Sequence, residues 1–227
     1  MDAETMTVER FANLGSGEKT RVLVNESCSV DVIRAGVRDR SSLVRMAAVR
    51  NSSAPEDVIR AGAMDANEDV RAGAVGNPGA PEDVIRAAMG DEHRGVRTTA
   101  ARHPSAPEDV IRAGAGDAHP DVRAAATGNP NAPEDVIRAG ARDDREWVRI
   151  AAVGNPSAPE DVVSVGARDG SWRVRMTAAG SFRLAPELAE RLSRSKVIDV
   201  QEALAENPVV SERIRVVARM KVEAGRR

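Results

Sequence analysis

The sequence predicts an all-α fold, an α-solenoid in which two short helices recur every 26 residues. The first observation is the phrase Ala-Pro-Glu-Asp, which recurs at that spacing from Ala54, Ala80, Ala106, Ala132 and Ala158. The second is the absence of a two-residue alternation of apolar and polar side chains, which argues against strands. The third is an aromatic content of only 2%, which leaves a core of small aliphatic side chains. Such a core gains stability by adding many similar interfaces in a row.

The repeat spacing divides the chain into three segments. Residues 1–27 keep little of the pattern and are predicted to form an N-terminal capping segment. Residues 28–209 hold seven repeats, which begin at positions 28, 54, 80, 106, 132, 158 and 184, the last of them degenerate. Residues 210–227 are predicted to form a C-terminal capping helix and tail, because terminal repeats need a polar outer face.

Each repeat begins with the signals of a helix N-terminus. Pro55 suits the first turn, where its missing N–H is no loss, and Glu56 and Asp57 place negative charge at the positive end of the helix dipole. Val58 and Ile59 then open an apolar stripe at helical spacing. We therefore expect the first helix of the repeat to bury this stripe.

The second helix of the same repeat is predicted from about Asp69 to Gly76, with Val70 facing inward. Asn77 followed by Pro78 is typical of a left-handed cap and a stop. A helix this short and weak is equally consistent with a 3₁₀ turn. Neither helix can bury its apolar face alone, so each repeat must supply the core of the next.

Composition and charge exclude several functional classes. Lysine and arginine total 33 against 35 acidic residues, so the net charge of −2 does not indicate a general polyanion binder. Cys28 is the only cysteine, and the three histidines form no H-x-x-x-H pair and no cysteine-linked set, so we expect no disulfide, metal site or cofactor. No catalytic motif is recognisable, which predicts a protein that is not an enzyme. The absence of a long apolar run or a leader favours a cytoplasmic protein without a membrane segment.

The phrases "APEDVIRAGARD" and "VRIAAVGNPSAPEDV" resemble the leucine-rich repeat variant family. This resemblance covers residues 28–209 and implies a right-handed superhelix whose second helices are often 3₁₀. The spacing of Asp65, Val70, Arg71 and Ala74 is also similar to the second helix of HEAT repeats. Alanine and glycine replace most of the family's leucines, which implies closer stacking, and one cysteine cannot hold the iron–sulfur cluster that some members carry.

An aspartate and an arginine lie six residues apart in each strong repeat. They could form a basic groove for phosphate or carboxylate groups, or a structural ladder that links neighbouring repeats. We favour the ladder because every arginine has a carboxylate at fixed spacing. The predicted pairs are Asp39/Arg45, Asp65/Arg71, Asp91/Arg97, Asp117/Arg123, Asp143/Arg149 and Asp169/Arg175. Arginines four residues after a glutamate, such as Arg60, are interpreted as a solvated outer face.

The loop and the start of the second helix vary most between repeats, and both tryptophans lie there. Tryptophan and arginine clusters on a rigid surface are typical of binding hot spots. The alternative interpretation, given equal weight, is that each indole only covers the gap between two repeats. The candidate partner-binding residues are Trp147, Trp172, Arg142, Arg145, Arg168, Arg173, Ile150 and Met176.

These observations favour a non-enzymatic scaffold that binds another protein and is monomeric or weakly self-associating. A second hypothesis is a nucleic-acid-binding solenoid similar to the HEAT-type base glycosylases, with the arginines holding a duplex. Its only acid candidates near an aromatic side chain are Asp143 and Asp144, beside Trp147. Scarce lysine and a nearly neutral charge disfavour it. A fragment or an engineered repeat array is a third hypothesis, although the irregular ends favour a natural chain.

Overall fold

The computed structural model describes residues 6–226, and within that range the chain forms seventeen α-helices and no strand. The all-α repeat fold predicted from the sequence is confirmed. The chain divides into two compact units between Gly114 and Ala115. Residues 1–5 of the predicted N-terminal capping segment and residue 227 of the tail lie outside the described residues.

First and second helices alternate along the chain, so that odd numbers from α3 to α15 are first helices and even numbers from α4 to α16 are second helices. The N-terminal unit contains α1 (Val8–Ala12), α2 (Ser16–Leu23), α3 (Val30–Gly36), α4 (Ser42–Arg50), α5 (Glu56–Ala63), α6 (Glu68–Val75), α7 (Glu82–Ala88), α8 (Arg94–Arg102) and α9 (Glu108–Ala115). The C-terminal unit contains α10 (Pro120–Thr127), α11 (Glu134–Gly140), α12 (Glu146–Val153), α13 (Glu160–Gly166), α14 (Trp172–Ala179), α15 (Pro186–Leu192), α16 (Ile198–Glu206) and α17 (Glu212–Gly225).

The helices of each unit form two layers. Helix α2 and the second helices pack side by side, in the order α2, α4, α6, α8 in the N-terminal unit and α10, α12, α14, α16 in the C-terminal unit. First helices form the other layer; within each unit they pack against second helices of their own and the preceding repeat, as α5 does against α6 and α4. The core between the layers consists almost entirely of valine, isoleucine, leucine and alanine. Neither layer could bury this apolar surface without the other.

The first helices follow the predicted start signals closely. In α5, Pro55 is the N-cap, one position before the first helical residue. Val58, Ile59 and Gly62 are the buried residues of this helix. A Cβ atom on Gly62 would lie only 2.3 Å from Cγ1 of Val49, so glycine allows α5 to approach the preceding repeat. Glycine at this position therefore lets the two helices lie close together.

The second helices are α-helices throughout the part of the chain that the structure describes, so the 3₁₀ alternative is wrong there. Side chains at the N-terminus of α6 (Glu68–Val75) explain why a short helix forms. Asn67 Oδ1 accepts hydrogen bonds from the backbone N–H groups of Asp69 (3.1 Å) and Val70 (3.2 Å). Asp65 in turn accepts from the N–H of Asn67 at 2.9 Å. These bonds satisfy N–H groups that have no partner within a helix.

The end of the second helix differs from the sequence-based expectation. Asn77 forms no left-handed cap, because no residue between 6 and 226 has a positive φ. Its buried side chain instead donates from Nδ2 to the carbonyl oxygens of Val49 (2.7 Å) and Asn51 (2.9 Å), and its Oδ1 accepts from the N–H of Gly79 at 2.8 Å. The local pattern is misleading here because the preceding repeat determines what this side chain does.

This arrangement recurs along the chain, and we call it the asparagine ladder. Donation to the carbonyl groups 28 and 26 residues earlier is made by Asn51, Asn77, Asn155 and Asn207. His103 takes the same position, with Nε2 3.1 Å from the carbonyl oxygen of Asn77 and Nδ1 accepting from the N–H of Ser105 at 3.0 Å. Because Nδ1 is an acceptor, we assign the ring proton to Nε2. The ladder thus connects buried backbone of consecutive repeats.

Both ends of the chain continue the two-layer packing. Helix α2 begins 26 residues before α4 and packs against it, and Phe11 of α1 is buried in the core. Helix α17, with 14 residues, is longer than the first helices and packs against α16. Among the helices that the structure describes, none combines the length and the apolarity needed to cross a membrane.

Candidate interaction surface

The arginines of the predicted ladder bind carboxylates of the following repeat. Arg71 donates from Nε and Nη2 to the two carboxylate oxygens of Asp91 at 2.7 and 3.0 Å. Its Nη1 donates to the carbonyl oxygens of Asp65 (2.9 Å) and Ala66 (3.2 Å). The aspartate six residues before the arginine therefore contributes its backbone oxygen, while the paired carboxylate lies 20 residues later. The same bidentate pairing joins Arg45 to Asp65, Arg123 to Asp143 and Arg149 to Asp169.

This Asp–Arg ladder leaves its arginines little capacity for another ligand. The side chains of Arg71 and Asp91 are only 13% and 11% exposed. Hydrogen bonds from the guanidinium lower the pKa of the paired carboxyl groups, and that of Asp143 falls from 3.8 to about 2 beside Arg123. These guanidinium groups already donate to carboxylate and carbonyl oxygens, so a phosphate would have to displace those oxygens.

The remaining predicted members keep the backbone contacts of the Asp–Arg ladder. Arg97 donates from Nη1 to the carbonyl oxygens of Asp91 (2.9 Å) and Glu92 (3.1 Å). The carboxylate of Asp117 accepts from the N–H of His119 at 2.7 Å. Arg175 donates to the carbonyl of Asp169, but within the described range it forms no ion pair. Its partner position, 20 residues later, holds a serine.

A second ladder, which the sequence analysis missed, crosses the first-helix layer. Arg60 donates to both carboxylate oxygens of Asp83, at 2.6 and 3.0 Å, and also to Glu56 at 2.8 Å. Equivalent inter-repeat pairs are Arg34/Asp57, Arg86/Asp109 and Arg138/Asp161. The signal was the Asp 23 residues after each arginine, which the nearer glutamate obscured. These pairs are half-exposed, so each contributes little stability by itself.

The two tryptophans lie at the N-terminal turns of adjacent second helices in the C-terminal unit. Trp147 on α12 is 45% exposed, and the guanidinium of Arg145 lies 5.9 Å from the centre of its ring. Trp172 on α14 is half-buried under Arg173 at 4.9 Å. Arg173 also reaches Glu146 at 3.6 Å, which links the two helices. Aromatic rings, arginines and a carboxylate are thus close together on this surface.

The other predicted partner-binding residues divide between two places. Ile150 and Met176 are half-buried on α12 and α14, one turn after the N-terminal residues of those helices. Arg142 and Arg168 instead donate to carbonyl groups at the ends of the first helices, at 3.5 and 2.9 Å. The structure therefore places these two arginines at helix C-termini, where a cation is stabilised by the helix dipole.

Grooves open on the exposed side of the second-helix layer, at the C-terminal ends of these helices. In the N-terminal unit one groove of about 510 Å³ lies against Leu43 and Met46, and another of about 410 Å³ against Arg102. The C-terminal unit has a groove of about 650 Å³ that contains Met176 and Phe182. Residues of the asparagine ladder contribute to each of these grooves.

The two aspartates considered as candidates for base-glycosylase chemistry form ion pairs with an arginine. Asp143 is held by Arg123, and Asp144 also lies 3.3 Å from that guanidinium. No group of three histidine, cysteine, aspartate or glutamate side chains that could hold a metal ion occurs between residues 6 and 226. The described residues of this surface offer contact area and hydrogen-bonding groups.

Among solved structures, the chain is similar to one described as a leucine-rich repeat variant with a novel repetitive protein structural motif. The TM-score is 0.63 at 22% sequence identity, and the match covers 93% of this chain and 88% of that chain. No family model and no curated protein matches the sequence. The comparison confirms the predicted resemblance at the level of fold, and the likeness concerns the fold alone.

Proposed function

We propose that this repeat protein is a scaffold that binds another protein through the exposed side of its second-helix layer, at the surface formed by Trp147, Trp172, Ile150, Met176 and Arg173. The observation that carries this proposal is the exposure of Trp147 on a rigid helix beside a second tryptophan. Large aromatic side chains supply much of the binding energy in protein interfaces.

Comparison between repeats supports the choice of surface. The repeat position of Trp147 holds Leu43, Asp69, Gly95 and Asp121 in earlier repeats. Since the residue type changes without changing the fold, stacking does not require an indole there. The side chain is therefore free to serve a partner, and the neighbouring Arg145 and Arg173 add hydrogen-bond donors.

Nucleic-acid binding through the Asp–Arg ladder lacks comparable support. The guanidinium groups of that ladder are mostly buried and already bind carboxylates. Neutral pairs provide no net positive field along a groove, and counterion release from nucleic acid requires one.

Affinity capture from nuclease-treated lysate tests the proposal with wild type, Trp147→Ala and Trp147→Ala/Trp172→Ala. Met64→Ala is the matched control because it removes a side chain that is 86% exposed and lies in the N-terminal unit. We expect one protein to be retained by wild type and the control but lost from both tryptophan variants. A photo-reactive amino acid at Ile150 should crosslink to that same protein.

Circular dichroism separates loss of binding from loss of fold, and Trp147→Ala should keep the wild-type helix content because the side chain is so exposed. Equal retention of the partner by wild type and by folded tryptophan variants would refute this surface. If the protein retains only nucleic acid from untreated lysate, and added salt releases it, nucleic-acid binding by the Asp–Arg ladder would be favoured instead.

A further inference from the structure

The exposed side of the second-helix layer changes from apolar to acidic within the C-terminal unit. Helix α16 carries Asp199, Glu202 and Glu206 at the repeat positions that hold Arg173, Met176 and Gly180 in α14. These carboxylates form one wall of the groove of about 650 Å³ described above. The acidic character belongs to this repeat alone, because no other repeat has three acids at those positions.

The opposite wall and lip of the same groove are apolar. Met176 lies on the wall, and Phe182 in the loop after α14 is 73% exposed. Phe182 stands where Pro78, Pro130 and Pro156 occur in other repeats. A proline limits the backbone of this loop, whereas a phenylalanine adds a large apolar surface directed at solvent. An exposed aromatic ring beside a groove is an unsatisfied contact surface.

The carboxylates of the groove are only partly neutralised by the chain itself. Glu202 pairs with Arg226 at 2.5 Å. Asp199 and Glu206 form no ion pair with any residue between 6 and 226. Among the described residues, Arg183 is the one cation that lines the groove. Two cations of α17 lie near Glu206 in an adjoining groove, but Arg215 and Arg219 both bind Glu212. Negative charge therefore remains for a partner to neutralise.

We propose that this groove binds a basic and apolar peptide segment of the protein partner. An aliphatic or aromatic side chain of the segment would fill the space beside Met176 and Phe182, and flanking lysine or arginine residues would bind Asp199 and Glu206. Charge complementarity selects this occupant, because an acidic segment would meet uncompensated repulsion and a polar neutral segment would leave Phe182 uncovered. This inference deepens the proposed function and depends on it.

Fluorescence anisotropy with dye-labelled dodecapeptides provides the test. The probe carries two adjacent leucines flanked by arginines; one reference peptide replaces the arginines with glutamates, and another replaces the leucines with serines. We expect saturable binding of the probe that weakens with added salt, and at least tenfold weaker binding of both reference peptides, since each lacks one of the two complementary features.

Variants locate the binding in the groove. Asp199→Asn/Glu206→Gln should weaken probe binding by about three- to tenfold and reduce its salt dependence, because each exposed charge contributes modestly. Phe182→Ser should weaken it by about tenfold or more, as loss of an aromatic anchor does. Glu160→Gln/Glu187→Gln is the matched control: it removes the same charge from exposed first-helix positions of the same unit and should leave affinity unchanged.

Three outcomes would overturn the inference. One is equal affinity for the arginine and glutamate peptides. Another is an equal loss of probe affinity in Asp199→Asn/Glu206→Gln and in the control Glu160→Gln/Glu187→Gln. The third is concentration-dependent dimerisation that Phe182→Ser abolishes, since a second copy of the chain would then occupy the groove. If these peptides fail while Trp147-dependent capture of a protein persists, this inference is wrong and the proposed function stands.

Discussion

Replacing Asn155 with alanine should destabilise the C-terminal unit by about 3 kcal/mol, because the change removes three hydrogen bonds of about 1 kcal/mol each from a buried site. The amide of Asn155 donates to the carbonyl oxygens of Thr127 (2.8 Å) and Asn129 (2.9 Å). Its Oδ1 accepts from the N–H of Ser157 at 2.8 Å. The asparagine is only 5% exposed, so water cannot readily replace these bonds.

Urea denaturation followed by circular dichroism measures this effect, and amide hydrogen exchange at Ser157 reports it locally if the repeats unfold in stages. Asn155→His is the matched control, because His103 occupies the same repeat position with one donor and one acceptor. We expect the histidine variant to lose about 1 kcal/mol, corresponding to the one missing donor bond.

The two variants distinguish hydrogen bonding from packing. Alanine removes two donor bonds and one acceptor bond, although the carbonyl of Asn129 still accepts from the N–H of Ala132. Histidine removes one donor bond but must fit a larger ring. A free energy of unfolding for Asn155→Ala within about 0.5 kcal/mol of wild type would refute the ladder as a stabilising element. A larger loss in free energy of unfolding for Asn155→His than for Asn155→Ala would show that steric fit, not hydrogen bonding, dominates at this position.

Three further predictions concern contacts between repeats. Gly140→Ala should destabilise the protein by about 1–3 kcal/mol in thermal unfolding, since overpacking forces neighbours apart; its Cβ would lie 2.3 Å from Cγ2 of Thr127. Gly170→Ala, whose Cβ would have no neighbour within 4 Å, should be neutral or slightly stabilising. Arg149→Lys should cost about 1–2 kcal/mol in urea denaturation despite the conserved charge, because lysine cannot make the bidentate pair. The pKa of Asp143 is lowered to about 2, so the stability it contributes should be complete above about pH 5 and be lost as the pH falls toward 2. Denaturation curves across that range should show a smaller acid effect in Asp143→Asn.

The helices could be predicted from the sequence because their signals are local. Proline and paired acids mark the start of α5, and the second helix was placed within one residue of α6 (Glu68–Val75). Each signal acts through the chain within a few residues of itself. The repeat period then transfers one repeat's assignment to all the others, which explains why a fold of many weak helices was predictable.

Contacts between repeats were harder to predict, because their partners lie 20 to 28 residues apart. Asp65 and Arg71 were expected to belong to a ladder that links neighbouring repeats, but their six-residue spacing did not show that the carboxylate that binds Arg71 is that of Asp91. Asn77 gave a local signal for a left-handed turn although its side chain serves the previous repeat. A fixed spacing shows that two residues recur together in every repeat, but it does not show which repeat supplies the binding partner of each.

The candidate surface was predictable only in part. Exposed tryptophan on variable positions was visible in the sequence, and its role in binding remains a prediction. The acidic groove was missed because the repeat that begins at position 184 was interpreted only as a degenerate copy. Its signals were Phe182 at a position of proline and three acids on one face of α16. Irregular residues near an end of a repeat array can therefore mark a site as well as a cap.

The three ladders restrict the surface that the proposed binding function could use. The asparagine ladder binds buried backbone, and the Asp–Arg ladder joins arginines of the second helices to aspartates of the loops. Pairs such as Arg60 and Asp83 join the first helices. A change at any of these positions alters stacking as well as recognition. The exposed side of the second-helix layer remains. Trp147 and Phe182 lie on that side and contribute little to the core. Substitutions at these two residues should therefore change binding while the free energy of unfolding stays within about 0.5 kcal/mol of wild type, whereas ladder substitutions change both.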